Sequence, residues 1–145
     1  MRAKRLCGLL LLFALLAACR SQSPTEKVRA ELKATASWAA TARMVGETWS
    51  GGSVPSAYAS RSLRTAAEAL EESRAILNAV AQDDSSTRDL RSALLSEIQK
   101  LKQVCEGMRA SVAARDSAAL SGQLKQLSSI EGEIAELKKA AGIQS

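Results

Sequence analysis

The chain has 145 residues, with 20 lysines and arginines against 15 aspartates and glutamates, a formal net charge of +5 and no histidine. Histidine is the commonest general base and the commonest transition-metal ligand, so its absence predicts no catalytic residues, no metal site and no cofactor. The basic residues alternate with acidic ones and are not grouped with aromatics, which argues against nucleic-acid binding. The composition therefore favours a protein that is not an enzyme.

The first nineteen residues, MRAKRLCGLLLLFALLAAC, combine a basic head with an unbroken apolar run. Arg2, Lys4 and Arg5 form the head, and residues 6–18 form the run, as in a secretory signal peptide. A helix rising about 1.5 Å per residue would make the run roughly 20 Å long, shorter than the roughly 30 Å hydrocarbon core of a bilayer. We therefore predict an export signal and not a permanent transmembrane helix.

The run ends in Leu16, Ala17, Ala18 and Cys19, and this ending resembles the lipobox of bacterial lipoproteins. The resemblance implies cleavage before Cys19, a diacylglyceryl thioether on its sulfur and an acyl chain such as palmitate on the new amino terminus. Two or three chains would anchor the protein stably, since each buried methylene contributes about 0.8 kcal/mol. By analogy with sorting in enteric bacteria, Arg20 implies the outer membrane, facing the periplasm, if the source is a diderm bacterium. The alternative is ordinary secretion with a coincidental cysteine.

We accordingly divide the chain into a cleaved signal peptide (1–18), a lipidated cysteine with a short tether (19–23) and a helical domain (24–145). Ser23 as N-cap, Pro24 at the first helical position and Glu26 as partner in a capping box predict the start of helix 1. We expect helix 1 to run to about residue 49, where a glycine-containing stretch ends it.

Three further helices are predicted after this break. Helix 2 extends from about Pro55 to Ala81 and is followed by an acidic turn. Ser86, with an acidic residue three positions later, predicts the start of helix 3. A corner at 115–117, with Asp116 as the next N-cap, leads into helix 4, which we expect Gly142 to terminate.

Apolar residues recur along all four helices at alternating steps of four and three, which places them on one stripe per helix. In helix 3 the stripe is Leu90, Leu94, Ile98, Leu101, Cys105, Met108 and Val112. Cys105 is the only cysteine beyond the lipobox, so no internal disulfide can form, and we expect it to be a small buried hydrophobe. Glycines within the helices each cost about 1 kcal/mol relative to alanine, so we expect close helix packing at them: Gly46, Gly107, Gly122 and Gly132.

No segment alternates apolar and polar residues with a period of two, so no strand is predicted. Four amphipathic helices with short connections must bury their stripes against one another. The simplest arrangement is an all-α, up-down-up-down four-helix bundle. The alternative is a set of helical hairpins that associate between chains as an intermolecular coiled coil.

The only aromatic residues after the signal peptide lie near the first hairpin, together with three charged residues. Tryptophan, tyrosine and arginine are enriched in binding hot spots, so this hairpin is our candidate partner-binding site. Its six residues are Trp38, Arg43, Glu47, Trp49, Tyr58 and Arg61. The short tether would place the hairpin at the end of the bundle far from the membrane. The alternative is that the aromatics close the core and staple the loop.

The sequence thus predicts a lipid-anchored cell-envelope protein that acts as a non-enzymatic binding or adaptor module. Its partners would be the membrane, through the anchor, and an envelope protein, a cell-wall glycan or a small ligand, through the hairpin. One alternative is a structural envelope lipoprotein that associates with itself, and another is an accessory enzyme or inhibitor that uses arginine and glutamate groups. The oligomeric state stays open at this stage.

Overall fold

A computed structural model describes residues 22–81 and 84–143. The predicted signal peptide, the lipobox and Cys19 lie outside the described residues. Four helices follow one another along the chain: α1 (Pro24–Ser50), α2 (Ser56–Asn78), α3 (Ser85–Ala114) and α4 (Ser117–Ala140). The described ranges contain no strand, and none of their helices is long and apolar enough to cross a bilayer. The all-α prediction is confirmed.

The helices form an up-down-up-down bundle in which one diagonal pair of helices, α1 and α3, is in contact. Helix α1 contacts α2, α3 and α4, and α3 also contacts α2 and α4, whereas within the described ranges no Cα atom of α2 comes within 8 Å of one in α4. The parallel helices α1 and α3 meet across this diagonal, and at their N-terminal ends the hydroxyls of Thr25 and Thr87 are 2.8 Å apart. The four predicted helices therefore pack against one another as a bundle within one chain.

The core consists of the predicted stripes. Leu32, Leu70, Ile98 and Leu127 are fully buried, and Cys105 lies among the buried residues as a free thiol. Burial, with a smaller contribution from the charge of the adjacent glutamate, raises the pKa of the Cys105 thiol to about 12. Cys105 thus packs as the expected small hydrophobe. At the margin of the core, three leucines of the predicted stripes are only half-buried: Leu90, Leu124 and Leu137.

Two predicted helix starts are confirmed by their hydrogen bonds. The Ser23 hydroxyl accepts from the Glu26 N–H at 3.2 Å, and the Glu26 carboxylate accepts from the Ser23 N–H at 2.9 Å, which completes the capping box. At α4, the Asp116 carboxylate accepts from the Ala119 N–H at 2.9 Å. These caps satisfy backbone donors that have no partner within the helix.

The connection between α2 and α3 differs from the prediction. Helix α2 ends at Asn78 and not at Ala81, and at this end the Leu77 carbonyl accepts from the Val80 N–H at 3.2 Å and from Nε of Arg91 of α3 at 2.5 Å. That carbonyl would otherwise accept the N–H of residue 81 in a continuing helix. The arginine also brings positive charge to the negative end of the α2 dipole.

The N-cap of α3 is Asp84, so the prediction of Ser86 is wrong. The Asp84 carboxylate accepts from the Thr87 N–H at 2.7 Å. This hydrogen bond is the main reason why the pKa of Asp84 lies below its usual value. A carboxylate is favoured here over the hydroxyl of Ser86 because it also interacts with the positive end of the helix dipole.

The four helical glycines do not share one role. A Cβ at Gly46 would lie 2.5 Å from Cε of Met108, and one at Gly107 would lie 2.7 Å from Nε2 of Gln123. Close packing, as expected, accounts for these two positions. A Cβ at Gly122 or Gly132 would meet nothing within 4 Å, so the expectation is wrong there.

The corner between α3 and α4 holds a residue in the left-handed region that is not glycine. Arg115 has φ 55° and ψ 36°, and the Asp116 N–H donates to the Ser111 carbonyl at 2.9 Å. Helices α1 and α4 end in the same hydrogen-bond pattern, but with Gly52 and Gly142 at the left-handed position. Only glycine adopts this conformation without a steric cost from its Cβ.

We therefore expect Arg115→Gly to raise the free energy of unfolding by about 0.5–1 kcal/mol, because relief of the left-handed strain exceeds the added entropy of the unfolded chain. Urea denaturation followed by circular dichroism measures the change, with Arg115→Ala as a control that keeps a Cβ. An equal effect of the two substitutions would contradict the assignment of strain to Arg115.

Candidate functional site

The six residues of the predicted hairpin site do not form one cluster. Trp38 and Arg43 are five residues apart on α1, which places them about 140° apart around a helix with 3.6 residues per turn. Arg43 lies on the side of α1 that contacts α4, where it meets Glu131. Trp38 lies on another flank of α1 and packs, half-buried, against the core.

Arg43 joins α1 to α4. Its Nε donates to the Glu131 carboxylate at 2.8 Å, a second guanidinium nitrogen contacts the same carboxylate, and its third nitrogen is 3.6 Å from Glu47. The hydrogen bond to Glu131 is the main reason why the pKa of Arg43 is raised. Because Glu131 is 88 residues away in sequence, no local spacing could have predicted this partner.

Trp49 closes the α1–α2 hairpin. Its indole Nε1 donates to the Ser56 hydroxyl at 3.0 Å, and its ring packs against the core as a half-buried side chain. A buried indole N–H requires an acceptor, and Ser56 at the start of α2 supplies it. This contact fits the stapling role that we considered as the alternative for the aromatics.

Tyr58 and Arg61 remain accessible at the hairpin. Tyr58 is 53% exposed, and Arg61, one turn later on α2, is also exposed. Residues three apart on a helix are neighbours on its surface, so the two side chains share one outward face. We call this pair the Tyr58–Arg61 face. Glu47 on α1 is the third predicted site residue that is exposed, with 57% of its side chain accessible.

A second group of charged residues, which the sequence analysis missed, lies between α3 and α4. Lys100 Nζ donates to Glu97 Oε1 at 2.8 Å and to Glu133 Oε2 at 2.7 Å. Glu97 is only 6% exposed, and its Oε2 is buried without a hydrogen-bond partner in the described parts of the chain. The available signal was a glutamate within an apolar stripe, three residues after Leu94 and four before Leu101.

The surroundings of this group shift the pKa values of its two carboxyls in opposite directions. Burial raises the pKa of Glu97, with further contributions from Glu133, while the bond to Lys100 opposes the shift. The bond to Lys100 lowers the pKa of Glu133, which is close to half-exposed. The Lys100 pKa is raised by its hydrogen bonds to both carboxylates. The two acids therefore differ in how readily they hold a proton.

Open cavities flank the Lys100 bridge along the groove between α3 and α4. One has a volume of about 440 Å³ and is lined by both helices, including Glu97, Gly132 and Glu136. The other has a volume of about 410 Å³ and extends past Gly107 toward Gln123. Within residues 22–81 and 84–143, no three carboxylate or cysteine side chains are grouped so that they could hold a metal ion. The groove is suited to hydrogen bonding and ion pairing.

We expect Glu97→Gln to stabilise the protein at pH 7 by about 1 kcal/mol, because it removes a buried charge that lacks a full set of partners. The raised pKa means that the folded protein holds the Glu97 proton more tightly than the unfolded chain does. The stabilisation from this proton is present at low pH and is lost as the pH rises above the unfolded value near 4.5.

The advantage of the glutamine variant should accordingly shrink as the pH falls from 7 to 4. Urea unfolding of both proteins at each pH measures this difference. The other carboxyls are common to both proteins, so their contributions to the pH dependence of stability largely cancel. A glutamine variant that is less stable than the parent at pH 7 would show instead that the Lys100–Glu97 attraction exceeds the burial penalty.

Comparison of the chain with protein-family models, with curated proteins and with solved structures finds no match in any of the three.

Proposed function

We propose that this protein is a lipid-anchored component of a bacterial cell envelope and acts as a non-enzymatic binding or adaptor module. The observation that carries the proposal is the lipobox-like ending at Cys19, preceded by a basic head and a short apolar run. By analogy with sorting in enteric bacteria, the anchor would lie in the outer membrane, facing the periplasm, if the source is a diderm bacterium. Acylation with palmitate or a similar chain would supply the membrane affinity.

If the protein is anchored at Cys19, the length of the tether determines which end of the bundle lies near the membrane. The four residues from Arg20 to the N-cap Ser23 span at most about 14 Å when extended. An anchor at Cys19 would therefore hold the end of the bundle where α1 and α3 begin close to the bilayer. The hairpin between α1 and α2 lies at the other end of α1, about 40 Å along the helix axis.

The Tyr58–Arg61 face is our proposed contact surface for an envelope protein or a cell-wall partner. It lies beside the hairpin, so it would point away from the membrane. Trp49 would support this surface from behind, since its indole bonds to Ser56 at the start of α2, whereas Arg43 lies on the side of α1 that contacts α4. Tyrosine and arginine together provide an aromatic contact area and a charged hydrogen-bond donor.

We expect Cys19→Ala to abolish incorporation of labelled palmitate in a bacterial host and to move the protein out of the membrane fraction, because the sulfur that would carry the lipid is lost. Cys105→Ala is the matched control, since Cys105 is buried in the core, and it should keep both label and membrane association. A membrane-bound, labelled Cys19→Ala protein, or isolated protein that still carries residues 1–18, would contradict the anchor.

A photo-crosslinking amino acid at position 58 should give discrete adducts in intact cells if the Tyr58–Arg61 face binds a partner. The same amino acid at Ala75, an exposed residue of α2 near the anchored end, is the control and should not give those adducts. Arg61→Ala should weaken the adducts formed at position 58. The same adducts from both positions would argue against a specific face.

A further inference from the structure

We propose that the cavity between α3 and α4 beside Glu97 is a binding site for an aliphatic diammonium ligand. The ligand would have two protonated amines joined by a short methylene chain. The inference does not depend on the lipid anchor or on the Tyr58–Arg61 face. It rests on a buried carboxylate with an unused acceptor, on the excess of carboxylates around it and on the space left by small side chains.

The unused acceptor is Oε2 of Glu97. The side chain of Glu97 is 8% exposed and lines the cavity, and no donor among the described residues reaches this oxygen while Glu97 and Glu133 are both ionised. Its other oxygen accepts from Lys100 at 2.8 Å. A buried carboxylate oxygen without a donor is unfavourable, so a donor on a ligand would be favoured there.

The cavity carries an excess of negative charge. Glu97, Glu133 and Glu136 line its wall, and Lys100 is the cation that the structure places on two of them. The Lys100 ammonium contacts Glu97 and Glu133 at 2.8 and 2.7 Å, so these oxygens already match the size and donors of an alkylammonium group.

A ligand can approach Glu97 because the charged side chains beside it are partly exposed to solvent. The side chains of Lys100 and Glu133 are 46% and 48% exposed, so either can rotate to admit a second ammonium. Glu136 follows Glu133 by three residues, which makes them neighbours on α4. A second ammonium of the ligand would pair with Glu136.

Small residues provide the volume for the methylene chain. The cavity measures about 440 Å³, within the usual range for sites that bind small molecules. Ala93 of α3 and Leu137 of α4 offer apolar contacts, and a Cβ at Gly132 would stand in open space. The absence of a side chain at Gly132 keeps this part of the groove open.

The test is calorimetric titration of the purified protein with cadaverine (1,5-diaminopentane) at neutral pH and low salt. We expect saturable binding of one ligand per chain, and weaker binding by at least about tenfold in Glu97→Gln, which loses the buried charge. Gly132→Leu should weaken binding to a similar extent because it fills the cavity. Gly122→Leu is the matched control: its Cβ also meets nothing within 4 Å, but Gly122 does not line this cavity.

The uncharged analogue 1,5-pentanediol should not bind. Thermal unfolding of each variant verifies that the bundle is intact. If Glu97→Gln alters the fold, Gly132→Leu still tests the site, because it keeps all the carboxylates. Failure of the parent protein to bind cadaverine saturably would overturn the proposal. Equal binding by the parent and Gly132→Leu, or equal binding of the diol, would overturn the site or the ligand class.

Discussion

The packing of α1 against all three other helices is the constraint on which the bundle depends. Its buried stripe is rich in small side chains, including Thr35, Ala39, Ala42 and Gly46. Small residues allow helices to approach closely, and larger side chains from the facing helices fill the remaining space. Gly46 is the clearest instance, because Met108 of α3 and Leu124 of α4 both reach its surface.

Ion pairs between helices favour one relative alignment of the helices that pack through the apolar core. Arg43 joins α1 to α4, and Lys102 of α3 contacts Glu71 of α2 at 2.9 Å. Such partly exposed pairs contribute little stability individually, so the core supplies most of the free energy and the pairs help to select one alignment. The proposed anchor enters the bundle through α1, so it would be attached to one of the two helices, α1 and α3, that contact every other helix in the described ranges.

The sequence was informative where structure depends on neighbouring residues. The apolar period predicts four helices because each stripe must be buried, and Ser23 and Asp116 cap helices through residues three positions away. At the early end of α2, Leu77 and Asn78 accept hydrogen bonds from Arg91, thirteen or fourteen residues further along the chain. Local patterns do not encode contacts of that kind.

In the candidate sites, too, the sequence indicates which residues are unusual, and the fold determines which of them are accessible. The hairpin aromatics stand out by composition, but only the fold separates the exposed Tyr58 from Trp49, whose indole bonds to Ser56. Glu97 interrupts an apolar stripe and could have been noticed in the sequence. Its role could not, because the cavity and the unpartnered oxygen arise only when α4 packs beside α3.

The most direct test of the central position of α1 is the free energy of unfolding of Ala42→Leu compared with Ala40→Leu. Ala42 is 1% exposed within the buried stripe, and Ala40 is exposed on the same helix. We expect Ala42→Leu to destabilise the protein by about 1–3 kcal/mol through overpacking and Ala40→Leu to change stability by less than about 0.5 kcal/mol. Equal stability of the two variants would contradict close packing of α1 against its neighbours.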